Sequence, residues 1–109
     1  MDITIEKTTD FIVVNINGRI DTTNFNEFEK QISEVFVKGK KNLVFDCTGL
    51  SYISSSGLRV FLITQKKLMA TKGKLHLCCM QPTIKEIFDI SGFSTIFKIF
   101  DTKENALQG

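Results

Sequence analysis

Residues Ser54, Ser55 and Ser56 run directly into Gly57, so three hydroxyls stand in line ahead of an apolar segment. Two kinds of chemistry suit such a run. Serine oxygens accept hydrogen bonds from the unpaired N–H groups of a first helical turn and so cap it. The same position also presents an alcohol where backbone donors and the helix dipole accommodate a phosphate carrying about −1.5 to −2 charges at neutral pH. Nucleophilic catalysis fits less well, because the run has no Gly-x-Ser-x-Gly frame and the one histidine, His76, alternates with Leu75 and Leu77 in a strand-like segment. The chain contains no Gly-x-x-x-x-Gly-Lys-Ser/Thr phosphate loop. His76 has no cysteine or carboxylate at zinc-ligand spacing, so neither a metal nor another cofactor is expected. The reading is a binding protein, not an enzyme.

Other polar residues are weighed by where the elements would put them. Asp21 precedes Asn24 in a segment suited to an Asx turn, and it is also a candidate for partner contact. Arg59 lies one turn beyond the serines and could reach an acidic partner. Val60 and Ile63 lie off the expected apolar stripe and are assigned to the flank of the core.

The elements follow from periodicity. "DITIEK" alternates Ile3 and Ile5 with polar neighbours, and "FIVVNING" is β-branched; the two read as an antiparallel hairpin. Phe25, Phe28, Ile32, Val35 and Phe36 recur at helical spacing, with Asn24 and Glu27 in the form of a capping box and Gly39 as the stop. "NLVFDC" is a short strand. Leu58, Phe61, Leu62, Leu68 and Met69 mark a helix ending at Gly73, "KLHLCCM" another strand, "PTIKEIFDISG" a helix opened by Pro82 and stopped at Gly92, and "IFKIF" a last strand. A few helical residues are expected near Glu104. Alternating strands and helices call for parallel pairing through right-handed crossovers. The expected fold class is α/β, a mixed, mostly parallel sheet of four to five strands with an antiparallel edge strand and βαβαβ crossovers, in one domain over residues 1–109. The loops after the strands then share the carboxyl-end rim, where open α/β sheets put functional groups. Asp21, the serine run and Gln81 are expected on that rim.

The bulk properties agree with this reading. A chain of 109 residues buries roughly two-thirds of its unfolded surface, enough for a core. Its formal net charge of +2, from 14 basic and 12 acidic residues, is too balanced for electrostatic capture of nucleic acid. The lysines at 38, 40 and 41, and those at 66, 67, 72 and 74, flank expected helix ends as solvated cations. Cys47, Cys78 and Cys79 are odd in number and without paired spacing, as for reduced, buried thiols in a cytoplasmic protein. No run approaches the roughly 20 apolar residues that span a bilayer, so no membrane association is expected.

Three segments in order also resemble one family. "GRIDTTN" is similar to a Gly-x-Leu/Ile-Asp element opening the first helix, "LVFDCTGLSYISSSGLRVFL" to a strand, loop and phosphorylatable helix start, and "PTIKEIFDISGFSTIFKIF" to a closing helix and strand. The family is that of the anti-sigma factor antagonists, within the sulfate transporter and anti-sigma antagonist (STAS) domain group. The resemblance implies that Ser55 accepts a phosphate, with Ser56 and Gly57 completing the motif, and that Asp21, Ser54, Ser55, Ser56, Gly57 and Arg59 meet the partner. Ser54 stands where sporulation and stress regulators usually carry aspartate, which leaves Ser54 and Ser56 as alternative acceptors. It further implies a partner switch. The unmodified protein binds an anti-sigma factor, a serine kinase that supplies ATP, and frees a sigma factor; phosphorylation breaks the complex, and a phosphatase restores it. The alternative within the same domain group is a binding module unconnected with sigma factors, such as a signalling scaffold or an accessory subunit of a lipid transporter.

Overall fold

The structure, a computed structural model, describes residues 1–36 and 42–109. Gly39 and the lysines at 38, 40 and 41 lie outside the described residues. The elements run β1 (Asp2–Lys7), β2 (Ile12–Ile20), α1 (Phe25–Phe36), β3 (Asn42–Ile53), α2 (Ser55–Ala70), β4 (Lys74–Cys78), α3 (Pro82–Ile90), a 3-10 turn (Phe93–Thr95), β5 (Lys98–Phe100) and α4 (Lys103–Gln108). Among the described residues the strands form one sheet in the order β1-β2-β3-β4-β5. The β1–β2 pair is antiparallel and the other three pairs are parallel. This is the expected α/β class with its antiparallel edge.

Period-2 alternation divides the core between the two faces of the sheet. Ile12, Val14 and Ile16 of β2, with Leu43 and Phe45 of β3 and Leu75 and Leu77 of β4, meet Phe28 and Ile32 of α1, Phe61 and Leu68 of α2, and Ile84 and Phe88 of α3. The interleaved residues Phe11, Val13, Val44 and Cys78 point the other way, onto Ala106 of α4. Strands apolar on both sides are what a sheet covered on both faces needs. At the centre of the larger layer Phe61 has its ring 4.9 Å from Phe45, edge to face, and also neighbours Phe28, Phe88 and Phe97.

β3 departs from the expected short strand. Instead of entering a loop after Cys47, it continues to Ile53, pairing Asn17 with Gly49 and Ile20 with Ile53. Its register slips against β2 between Asn15 and Asn17 and again between Gly18 and Arg19. Each slip inserts an extra residue on β3 and resets which side chains face inward. Leu50 and Ile53 therefore both enter the large core although their spacing breaks the strand period. Gly49 lets the strands close at the first slip: a Cβ there would displace the Asn17 side chain and lie 3.2 Å from the Asn17 Cα.

Helix ends show further differences. The Asn24 side chain reaches backward instead of pairing with Glu27, accepting from the Asp21 N–H at 2.9 Å and donating to the Arg19 carbonyl at 2.9 Å. At the end of α2 the left-handed residue is Lys72, at φ 63°, and Gly73 donates to the Leu68 carbonyl at 2.7 Å. Val60 is buried and Ile63 half-buried, as expected, whereas Met69 is 64% exposed. Met69 sits about 100° round the helix from buried Leu68, and the sheet covers only one of the two directions. Gly92, at φ 80°, closes α3 as anticipated. No helix among the described residues is long and apolar enough to cross a membrane.

Candidate functional site

The three serines have different environments. Ser54 is the N-cap of α2, with extended backbone and a hydroxyl that accepts from the Gly57 N–H at 3.2 Å. It is 8% exposed, and its Oγ lies 2.7 Å from that of half-buried Ser56. Ser54 also donates its N–H to the Ile20 carbonyl at 2.8 Å, which ties the mouth of α2 to the end of β2. Ser55, the first helical residue, is exposed, and among the described residues no partner holds its hydroxyl. Capping thus falls to Ser54, whose hydroxyl is paired with that of Ser56, and the free alcohol to Ser55.

Gly57 explains how close this mouth sits to the sheet. It is buried, and a Cβ there would meet Ile20 Cγ2 at 2.7 Å and Ile53 Cγ1 at 2.8 Å. The absence of a side chain lets the first turn of α2 press onto the ends of β2 and β3, fixing Ser55 on rigid strands instead of on a free loop.

Around Ser55 lies a shallow depression lined by Phe25, Ser55, Ser56 and Arg59. Arg59 is exposed, and its position four residues after Ser55 puts both on one helical face. Phe25 is half-buried, one side against the core and the other in this depression. Asp21 lies in the neighbouring β2–α1 loop. Its Oδ1 accepts from the Thr23 hydroxyl at 2.6 Å and the Thr23 N–H at 2.9 Å, while the Arg19 guanidinium stands 3.8 Å from Oδ2. The Thr23 bonds, with Arg19 as a weaker influence, hold the Asp21 carboxyl below its ordinary pKa. Arg19 also lies over the Tyr52 ring, 4.4 Å from its centre.

Asp21, Ser54, Ser55, Ser56, Gly57 and Arg59 therefore gather at one end of the sheet, around the junction of β2, β3 and α2. Gln81 occupies another stretch of the rim, donating to the Thr48 carbonyl at 3.0 Å upstream of the serines. The extension of β3 causes this: the serines sit farther along than the expected strand end, beyond the point where β4 stops. Sequence reasoning missed Arg19, Tyr52 and the outward side of Phe25. Arg19 stands beside Asp21 in the quoted "GRIDTTN" segment and was findable; Tyr52 needed the bulged register to be known.

His76 is remote from the serines in kind as well as place. It is 1% exposed in the smaller core layer, between Phe11 and Phe100, with Nδ1 2.7 Å from the Ala106 carbonyl. Since a carbonyl only accepts, Nδ1 carries the proton. Burial lowers the pKa of this ring, outweighing the contrary influence of Ala106. Cys47, Cys78 and Cys79 are all free thiols.

An exposed alcohol at a helix mouth, beside a second strand-to-helix loop and flanked by an arginine, thus stands at the surface of an α/β fold. The family model of the STAS domain matches residues 2–106, and the chain belongs to that family. Its relatives include BtrV of Bordetella bronchiseptica, whose name marks it as a candidate anti-sigma factor antagonist; it is 35% identical, over 97% of this chain and 91% of that one. Two solved structures share the fold. An anti-sigma factor antagonist from Mycobacterium paratuberculosis superposes with a TM-score of 0.89 at 22% identity, covering 98% of this chain and 91% of the other. The phosphorylated form of the Bacillus cell fate determinant SpoIIAA does so with a TM-score of 0.74 at 24% identity, covering 98% and 97%.

Proposed function

We propose that this protein is an anti-sigma factor antagonist that works as a partner switch, with Ser55 as the phosphorylated residue. The observation that carries the proposal is the division of labour among the serines: Ser55 alone of the three is exposed with its hydroxyl unheld, at the first position of α2. In its unmodified form the protein binds an anti-sigma factor that is also a serine kinase, through the surface formed by Asp21, Ser54 to Gly57 and Arg59, and so releases a sigma factor. The kinase transfers phosphate from ATP to Ser55 Oγ, and a phosphatase later removes it. The antagonist itself supplies binding and the acceptor, not catalysis, and acts in the cytoplasm. The names of the relatives support this reading, as does the existence of a phosphorylated form of a structural neighbour.

The physical basis is electrostatic. A dianion at the mouth of α2 is compatible with the fold, because the helix start and Arg59 both favour negative charge there. In a complex the same dianion stands within the docking surface and must lose hydration or face acidic groups. Each 1.4 kcal/mol of lost binding free energy is about tenfold in affinity. Incubation with the candidate kinase and ATP, followed by intact-mass spectrometry, tests the assignment. One phosphate should be added to the wild type and none to Ser55→Ala, while Ser54→Ala still accepts it. Full labelling of Ser55→Ala would move the acceptor to Ser54 or Ser56.

A further inference from the structure

Two consecutive residues of a regular strand point to opposite faces of the sheet. Cys78 ends β4, and Cys79 follows with φ 63°, in the left-handed region that a β-carbon disfavours. That turn overrides the alternation and sets the Cys79 thiol beside that of Cys78. Asp46 is the cross-strand partner of Cys78 in the β3–β4 pair. The two sulfurs and a carboxylate oxygen of Asp46 all lie within 4.8 Å of one another, with Asp46 and Cys78 buried and Cys79 half-buried.

We propose that Asp46, Cys78 and Cys79 bind a thiophilic divalent cation of the zinc class. Two thiolates and a carboxylate suit such an ion, and three protein ligands leave a fourth position for water on the half-open Cys79 side. Bonds of about 2.3 Å to sulfur and about 2.0 Å to oxygen put tetrahedral ligands roughly 3.5 Å apart, so closure by about 1 Å completes the cage. The carboxylate is already oriented: Asp46 Oδ1 accepts from the Thr48 N–H at 3.0 Å and the Thr48 hydroxyl at 2.6 Å, the outer-shell support that ligating carboxylates use. Two thiolates, one carboxylate and a divalent ion sum to −1, and the Lys103 ammonium, 3.4 Å from Glu6 Oε2 and 3.8 Å from Asp46 Oδ2, places a positive charge beside the site that it shares with Glu6.

Binding converts both thiols to thiolates and releases two protons to solvent. Cys47 is a control within the same molecule. It lies in the larger core layer, with its thiol turned toward the Phe45 carbonyl at 3.6 Å.

The test is titration of the phosphine-reduced full chain with cadmium, followed by its ultraviolet thiolate-to-metal charge-transfer band. The band should saturate at one ion per chain with release of two protons. Cys47→Ala should titrate like the wild type, Cys79→Ser should lose the band's intensity and at least tenfold in affinity, and Asp46→Asn should keep the band with weaker binding. In the wild type, zinc should slow alkylation of Cys79 several-fold, a readout that depends on no variant's folding. Absence of a band at one equivalent, a band unchanged in Cys79→Ser, or alkylation of Cys79 unaffected by zinc overturns the site. None of these outcomes depends on Ser55, so the proposed switch stands or falls separately.

Discussion

The mouth of α2 and the sheet face beneath α4 both hold polar chemistry, and they hold it in opposite ways. At the mouth, Ser54 caps the helix start and pairs with the Ser56 hydroxyl, while the Ser55 hydroxyl stays outside. Beneath α4, Asp46, His76 and Cys78 lie inside an apolar layer, with carboxylate and ring held by Thr48 and Ala106. The first region is arranged so that a charge added to it costs the fold little. The second penalises any new charge that arrives without a partner. A switch that must toggle docking while the domain stays folded belongs at the first.

Substitutions grade this contrast. The largest effect is expected at Phe61, which links the phenylalanine cluster behind both regions. Phe61→Ala should cost about 3–5 kcal/mol in urea unfolding, because the cavity opens among rings that cannot collapse into it. A loss under about 1 kcal/mol would mean that the layer is loosely packed. Gly57→Ala comes next: a methyl group pressed against Ile20 and Ile53 should cost about 1–3 kcal/mol and shift the first turn of α2, reducing phosphorylation at the neighbouring serine. Ser54→Ala removes the cap and should cost about 1 kcal/mol, whereas Ser55→Ala should change stability by less than about 0.5 kcal/mol. Equal losses in these two variants would erase the distinction between capping and free hydroxyls.

The smallest effect is one of pH. Buried His76 resists protonation in the folded state, so the unfolded chain takes up a proton more readily. Its contribution to stability is complete above about pH 6.5, the ordinary histidine value, and declines as pH falls below it. The carboxyl of Asp21, and that of Asp89, held low by hydrogen bonds from Lys85 and Ser94, act in the same direction but only below about pH 4, so the windows are separable. The thermal midpoint should drop between pH 7 and pH 5, and His76→Gln should flatten that slope even if it lowers the whole curve.

Much of this was legible in the chain. Helical spacing at Phe25, Phe28, Ile32 and Val35 and alternation around Ile3 and Ile5 marked their elements, because those segments have one buried side and a fixed period. β3 was only half legible: the expected strand stopped at Cys47, and the slipped register hides the period that Leu50 and Ile53 would otherwise show. Met69 was misread because an apolar residue at the end of a helix carries no mark of where the sheet stops.

By itself, the sequence determined the order of strands and helices, the antiparallel edge and the place of the serine run at a helix start, since each is set by local periodicity and capping. It did not decide which serine stays free. That depended on the β2 end reaching Ser54 and on the gap at Gly57, contacts between segments far apart along the chain. The meeting of Asp46 with Cys78 and Cys79 was likewise decided only by strand register and one left-handed residue, because proximity across a sheet has no signature along the backbone.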